Sequence, residues 1–452
     1  MVRILILAMW SAAAEPQEPN GGIRAGFGAV DITPPAGAQM PGGFFKQYSK
    51  GVRDPLWAVA CAITDGKTSL ALVGIDALFV GRDLVRSARA AVEQSVGIPG
   101  ANVLVSASHT HQGGPILSCL GSDEDPAYSA SVARAVAAAV EQAWKGLRPA
   151  EIGIGTGRED TISFNRRFLM RDGREITHPG KPGTKHHADI VAPAGPVDPD
   201  VGVLAARAPG GKIFGVVVHF SCHATAMGGD RYSADWIGAL RRRLQERLGE
   251  ATAVVFLPGP SGDVTQVDNR STAREFGPEH ADLMGTKLAA EAARVIGRMK
   301  WLREVPLGSA TETVTLAIRP EPDVDRERPP YGLGSGAAVE PVFAEERRLV
   351  AEERARTPLI PAEIQALRIG PLGLAANGAE YFVAYGLRIK EASPFAPTWV
   401  VSLANEYLGY VPTPQAFVAG GYEPRTARSS KLAVDAGQRI LEGSLKALGR
   451  LR

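Results

Sequence analysis

Four of the eight histidines fall into two close pairs, His109 with His111 and His219 with His223. Imidazoles grouped this way, with carboxylates within reach, are the donor set of a metal centre built from N and O ligands. Each pair ends an apolar run of strand length, "VLVSASHTH" and "IFGVVVHFSCH". Three more apolar runs end in chemically capable residues: "PLGLAANGAEY" in Glu380, "WVVSLANEYLGY" in Glu406, Tyr407 and Tyr410, and "AVVFLPGPSGDVT" in Ser261, Asp263 and Thr265. Residues just beyond the carboxyl ends of strands in open α/β sheets converge on one crevice, so these runs can feed one site. Two histidines and a carboxylate leave a fourth position open for water or substrate, the arrangement of a metal hydrolase. Which histidine of each pair ligates stays open at this point. Residues two apart in a strand share a face, whereas His219 lies in its strand and His223 in the turn that follows.

The elements that must position these residues read as α/β, with mixed, largely covered sheets flanked by helices. Strands are expected at 56–64, 69–75, 102–107, 213–220, 253–257, 371–376 and 398–404. Helices are expected at 82–96, 127–145, 236–248, 279–298, 342–356 and 427–448. The stretches 172–200 and 319–362 read as insertions, opening in segments rich in Pro, Gly and charge, inside a single domain spanning 21–452. No repeat at a solenoid period is present.

Composition narrows the function. Lys+Arg 50 against Asp+Glu 48 leaves a formal charge of +2, without the basic footprint of a nucleic-acid binder. Cys61, Cys119 and Cys222 are too few and too scattered for a disulfide framework or a thiolate zinc site. Residues 1–20 have the layout of a secretory signal, a short apolar run followed by an A-x-A site ending at Ala14, so a secreted or periplasmic protein is expected. Nothing else in the sequence approaches the apolar length of a membrane span.

In order along nearly the whole chain, eight blocks resemble the neutral, non-lysosomal ceramidases and their N-terminal catalytic domain. They are "GFGAVDITPPAGAQMPGG", "SASHTHQGGP", "FNRRF", "VDPDVGVL", "HFSCHATAMG", "SGDVTQVDN", "NGAEYFVAYGLRIK" and "NEYLGYVPTPQAFVAGGYE". The resemblance implies one Zn²⁺ bound by His109, His223, Glu380 and Tyr410. It places His111, Arg166 and Tyr422 against the scissile amide, where Arg166 and a protonated His111 or Tyr422 would stabilise the developing oxyanion. The implied activity is hydrolysis of an N-acyl bond, in ceramide or another N-acylated small molecule, by zinc-activated water or Thr265-assisted attack.

The sequence departs from the family pattern in two places. Thr265 stands where the family carries its proposed serine nucleophile, and its extra methyl stiffens χ1 and crowds attack. Ser261 is the other hydroxyl candidate. The family's immunoglobulin-like C-terminal domain has no counterpart after 427–448, and no exposed apolar loop suited to lipid extraction stands out. These departures keep two alternatives in play, a catalytically silent binding paralogue and an esterase or peptidase on the same zinc site. Asp76 and Asp263 are candidates to brace the ligands from behind, and Asp235 reads as a helix N-cap. His178, His186 and His187 read as surface-loop residues, and His280 as a helix-start residue.

Overall fold

A computed structural model describes residues 22–320 and 327–452. The expected signal segment lies outside these residues, as does 321–326 of the second insertion. Two five-stranded sheets lie face to face, each backed by two helices, in four layers. In the first sheet, Arg24–Asp31, Trp57–Thr64 and Ser69–Ile75 form an antiparallel meander, and Val103–Ala107 returns parallel to the third strand after helix Arg82–Val96. Helix Pro126–Lys145 follows, and a short strand, Arg148–Pro149, closes on the first strand. The second sheet repeats this order with Glu151–Arg158, Asp200–Arg207, Ile213–Phe220, helix Asp235–Leu248, Ala253–Pro258, helix Pro278–Ile296 and Trp301–Leu302. The two halves thus share a topology that no repeat in the sequence announces.

Strand periodicity sorts the core. In Trp57–Thr64, Ala58, Ala60 and Ala62 face the first helical layer, while Val59, Cys61 and Ile63 face the other sheet. In Ile213–Phe220, Val217 joins that same inter-sheet core, and Val216 and Val218 pack on the second helical layer. Both faces are buried, so these strands read as unbroken apolar runs rather than alternating ones. A third sheet, ordered Leu307–Ala317, Leu359–Ile369, Leu372–Ala376 and Thr398–Val401, closes one end of the inter-sheet core through Leu367, Leu372, Leu374 and Trp399. Helix Ala436–Gly449 packs on its other face through Ile440, Leu441 and Leu448.

Two expected elements end elsewhere. The C-terminal helix starts at Ala436 instead of 427, because the chain before it gives its backbone groups to neighbours: Ser429 O accepts from Tyr410 N, and Lys431 O from Arg319 N. The strand expected at 398–404 stops at Val401, where Leu403 and Asn405 take positive φ. The 172–200 segment is not a solvated loop. It adds strands Glu175–Thr177 and Ile190–Pro193 to a three-stranded sheet with Arg167–Met170, and Lys181 pins it to Ala273 O (2.6 Å) and Glu275 (2.5 Å). Within it, His178 is partly buried with Nδ1 2.9 Å from Asn269 Oδ1, which corrects its surface-loop reading, while His186, part-exposed in a turn, stacks on Tyr331. In the second insertion, the described residues include helix Glu340–Arg356.

Candidate metal centre

Short backbone bonds sew the strand-end loops together. Thr110 bridges Ala224 in parallel register, which sets the His109–His111 turn beside His223. His223 N donates to Val264 O, Arg166 N to Asp263 O, and Gly262 N to Tyr381 O. Glu380 and Tyr410 are direct partners in a small parallel ladder. Gly262 permits the closest of these approaches, since a Cβ there would lie 2.4 Å from Glu380 O. The strand ends at Ala107, and His109 takes φ +66°, so a turn and not strand alternation brings both histidines inward. A non-glycine residue in that region costs about 1–3 kcal/mol and persists where its surroundings hold it.

Each of three buried or partly buried imidazoles is tied by Nδ1 to a carbonyl oxygen. His109 Nδ1 lies 2.8 Å from Leu78 O, His111 Nδ1 3.0 Å from Gly42 O, and His223 Nδ1 2.6 Å from Ser261 O. A carbonyl only accepts, so Nδ1 carries the proton and Nε2 is left with its lone pair, as in a metal-ligating histidine. His109, His111 and His223 can each offer a ligand atom so that all three lie within 4.8 Å of one another. Glu380 Oε2 is 3.3 Å from His109 Nε2 and 3.7 Å from His223 Nε2. His109 Nε2, His111 Nε2 and Glu380 Oε2 are buried without a hydrogen-bond partner. Orphaned acceptors of this kind carry a full desolvation cost unless something binds them, so the residues fit a metal ion.

The electrostatics agree with lone pairs facing inward. Burial pushes His111 down to about 3 and His223 well below the usual imidazole range. The protonated His111 expected as an oxyanion donor is therefore corrected: its Nε2 is an acceptor. Burial opposes ionisation of Glu380, whereas the hydroxyls of Tyr410 and Tyr407 favour its charged form. Tyr407 donates to Glu380 Oε1 at 2.8 Å. Tyr410 Oη lies 3.1 Å from Arg166 Nη2 and 3.5 Å from His223 Nε2. Burial raises the phenol of Tyr422, whose ring centroid is 5.6 Å from that of Tyr410.

Arg166 is buried beside this cluster, with Nη1 3.2 Å from His223 Nε2, Nη2 donating to Gly262 O and Nε donating to Glu423. Thr265 lies beside the centre, but its hydroxyl donates to Gln266 Oε1 at 2.7 Å. Ser261 contributes its carbonyl to His223. Asp263 braces two of the loops, accepting from Val383 N and Asn165 Nδ2, and burial pushes it up to about 6. Asp76 meets none of the rings. Its carboxylate is taken by both terminal nitrogens of Arg241 and by Trp57 N, so the ligand-bracing expectation fails for it. His219 stacks on Trp399 outside the cluster. Asp235 is the first helical residue, not the cap, and accepts from Met227 N and Trp236 N. Glu406 pairs with Arg82 instead of facing the site.

Sequence reasoning passed over Tyr407 in favour of Tyr410 and missed Glu423 altogether. Glu423 sits next to Tyr422, but nothing in its spacing announces two arginine partners. The carbonyls of Leu78, Gly42 and Ser261 leave no side-chain signal.

No protein-family model matches the chain. In sequence it is similar to the neutral ceramidase of Pseudomonas aeruginosa, 24% identical over 473 aligned positions that cover 88% of this chain and 68% of that protein. In structure it is similar to a ceramidase complexed with C2, with a TM-score of 0.74, 19% identity and coverage of 96% of this chain and 75% of the other. The chain is homologous to neutral ceramidase and has its fold. The crystal structure of the P. aeruginosa neutral ceramidase gives a TM-score of 0.72 at 19% identity, covering 95% of this chain and 75% of that one. Among the described residues, no helix is long and apolar enough to cross a membrane.

Proposed function

We propose that the chain is a zinc-dependent amidohydrolase that cleaves an N-acyl bond, in ceramide or a related N-acylated molecule. The observation that carries this reading is the set of imidazoles tied by Nδ1 to carbonyls, with unpartnered donors converging beside Glu380. Homology to neutral ceramidase supports the amide as the bond cleaved. His109, His223, Glu380 and Tyr410 would hold the metal, with His111 turned to the substrate. When bound, the metal would supply Lewis acidity to the scissile carbonyl and bring a water's pKa towards about 7.

The protein's own groups supply the remaining chemistry. Leu78 O and Ser261 O keep the His109 and His223 rings in one tautomer, so both Nε2 atoms carry a lone pair, that of His109 unpartnered and that of His223 facing Arg166 Nη1. His111, neutral and anchored by Gly42 O, offers Nε2 as a hydrogen-bond acceptor to the attacking water or to a substrate hydroxyl. Tyr422 keeps its phenolic proton and can donate it in a hydrogen bond to the developing oxyanion. Thr265 is not required as a nucleophile, since its hydroxyl faces a glutamine oxygen and no base.

Metal analysis and turnover of three variants test this reading. His109→Ala and His223→Ala are expected to lose the metal and all activity. His111→Ala is expected to keep the metal and lose activity on matched N-acyl substrates of varied chain length. Absence of zinc from the wild type, or full occupancy in His223→Ala, would refute the metal assignment. Faster cleavage of matched O-acyl substrates would turn the enzyme into an esterase.

A further inference from the structure

Behind the donors lies a buried charge network that binding of a cation does not by itself explain. Glu423 is 0% exposed. Its Oε1 accepts from Arg166 Nε at 2.8 Å, and its Oε2 accepts from Arg167 Nη1 at 2.5 Å and Thr177 Oγ1 at 2.7 Å. Arg167, 1% exposed, also donates twice to Glu175, at 2.6 and 3.2 Å. The two guanidinium charges and two carboxylate charges cancel, so the network is neutral as a unit. Burial works against ionisation of Glu423, and Arg167 and Arg166 overcome it, holding the carboxyl below its ordinary value.

The position of Arg166 makes that neutrality matter. Its guanidinium touches two of the atoms proposed as metal ligands, His223 Nε2 at 3.2 Å and Tyr410 Oη at 3.1 Å. A bare cation there would repel a divalent ion over a distance that neither salt nor water screens, because the whole group is buried. The same guanidinium holds Gly262 O, so its orientation also sets the loop that approaches Glu380. Glu423 is the carboxylate that both discharges Arg166 and fixes the plane of its fork.

We infer that Glu423 is a positioning residue for the metal centre, neutralising and orienting Arg166 so that a guanidinium can border the ligand atoms without expelling the cation. This rests on the metal reading proposed above. It assigns to the residue after Tyr422 a task that is read out in metal affinity and needs no substrate.

The experiment is a double-mutant cycle on the full chain. Metal-free wild type, E423Q, R166Q and R166Q/E423Q are titrated with Zn²⁺ against a competing chelator, and with Co²⁺ followed by its visible absorption. E423Q alone is expected to weaken binding about 10–100-fold, as loss of an outer partner does in other metal sites. E423D, which keeps the charge, is expected to restore most of that loss. In the R166Q background, E423Q is expected to change affinity less than about threefold, because the cation to be neutralised is gone. An equal loss in both backgrounds would overturn the inference, since a purely structural role does not depend on Arg166. If E423Q does not fold, R166Q against R166Q/E423Q still decides, with equal affinities expected and a weaker double variant overturning the inference. A wild type that binds neither ion would instead refute the metal reading itself.

Discussion

Gly42 is the position where backbone conformation and site geometry are most tightly joined, and Gly42→Ala should disturb both. Gly42 has φ +119°, a region that only glycine occupies readily, and forcing an alanine into it costs about 1–3 kcal/mol. A Cβ built there lies 2.6 Å from His111 Nδ1 and 2.9 Å from its Cγ. The ring must then move off the Gly42 carbonyl, losing a hydrogen bond of about 0.5–1.5 kcal/mol. Together these predict a loss of about 1.5–4.5 kcal/mol in a urea-unfolding measurement on the metal-free protein. With His111 unanchored, turnover of an N-acyl substrate should fall about 10–100-fold, the usual effect of losing an imidazole's outer partner. Gly43→Ala is the control: a Cβ there meets nothing closer than 3.7 Å, so it should stay within about 0.5 kcal/mol of wild type. If Gly42→Ala matched Gly43→Ala in both stability and turnover, the role given to the Gly42 carbonyl would be wrong.

Other perturbations separate the remaining roles. Tyr407→Phe removes the donor to Glu380 Oε1 and should weaken metal affinity about tenfold while leaving the fold intact; unchanged affinity in a chelator competition would show that Glu380 needs no such partner. Thr265→Val keeps the shape and removes the hydroxyl, so turnover should stay within about threefold of wild type; a fall to background would make Thr265 a reacting group. Burial pushes Asp235 up to about 6, so the folded protein binds a proton there that the unfolded chain releases near pH 4. Its stabilising contribution is therefore full below that pH and is lost as pH rises through about 6, by up to about 3 kcal/mol. Unfolding of wild type and Asp235→Asn at pH 4 and pH 7 measures this, and a pH-independent gap between them would contradict it.

Much of the scaffold was legible in the sequence because its strands are buried on both faces. The runs at 69–75 and 213–220 coincide with observed strands, and 82–96 with an observed helix, since unbroken apolarity and helical spacing are local properties. The pairing of halves was not legible, because it depends on which strand hydrogen-bonds to which and no local pattern records that. The 427–435 stretch looked helical for the same reason, until neighbouring strands claimed its carbonyls.

The site divides in the same way. Residue type and strand-end position gathered a wider set of candidates, the resemblance to the ceramidases chose His109, His111, His223, Glu380 and Tyr410 from it, and the structure brings all five together. Asp76 shows the limit of that logic: it too follows a strand, yet Arg241, from a helix far along the chain, claims its carboxylate. Sequence determined which side chains were available as donors, through their chemistry and their place at the ends of apolar runs. Only the tertiary structure decided their protonation and partners, because these depend on carbonyls from Leu78, Gly42 and Ser261 and on the buried carboxylate of Glu423. Such contacts are made by backbone and by residues distant in the chain, and they exist only once the strand-end loops have met.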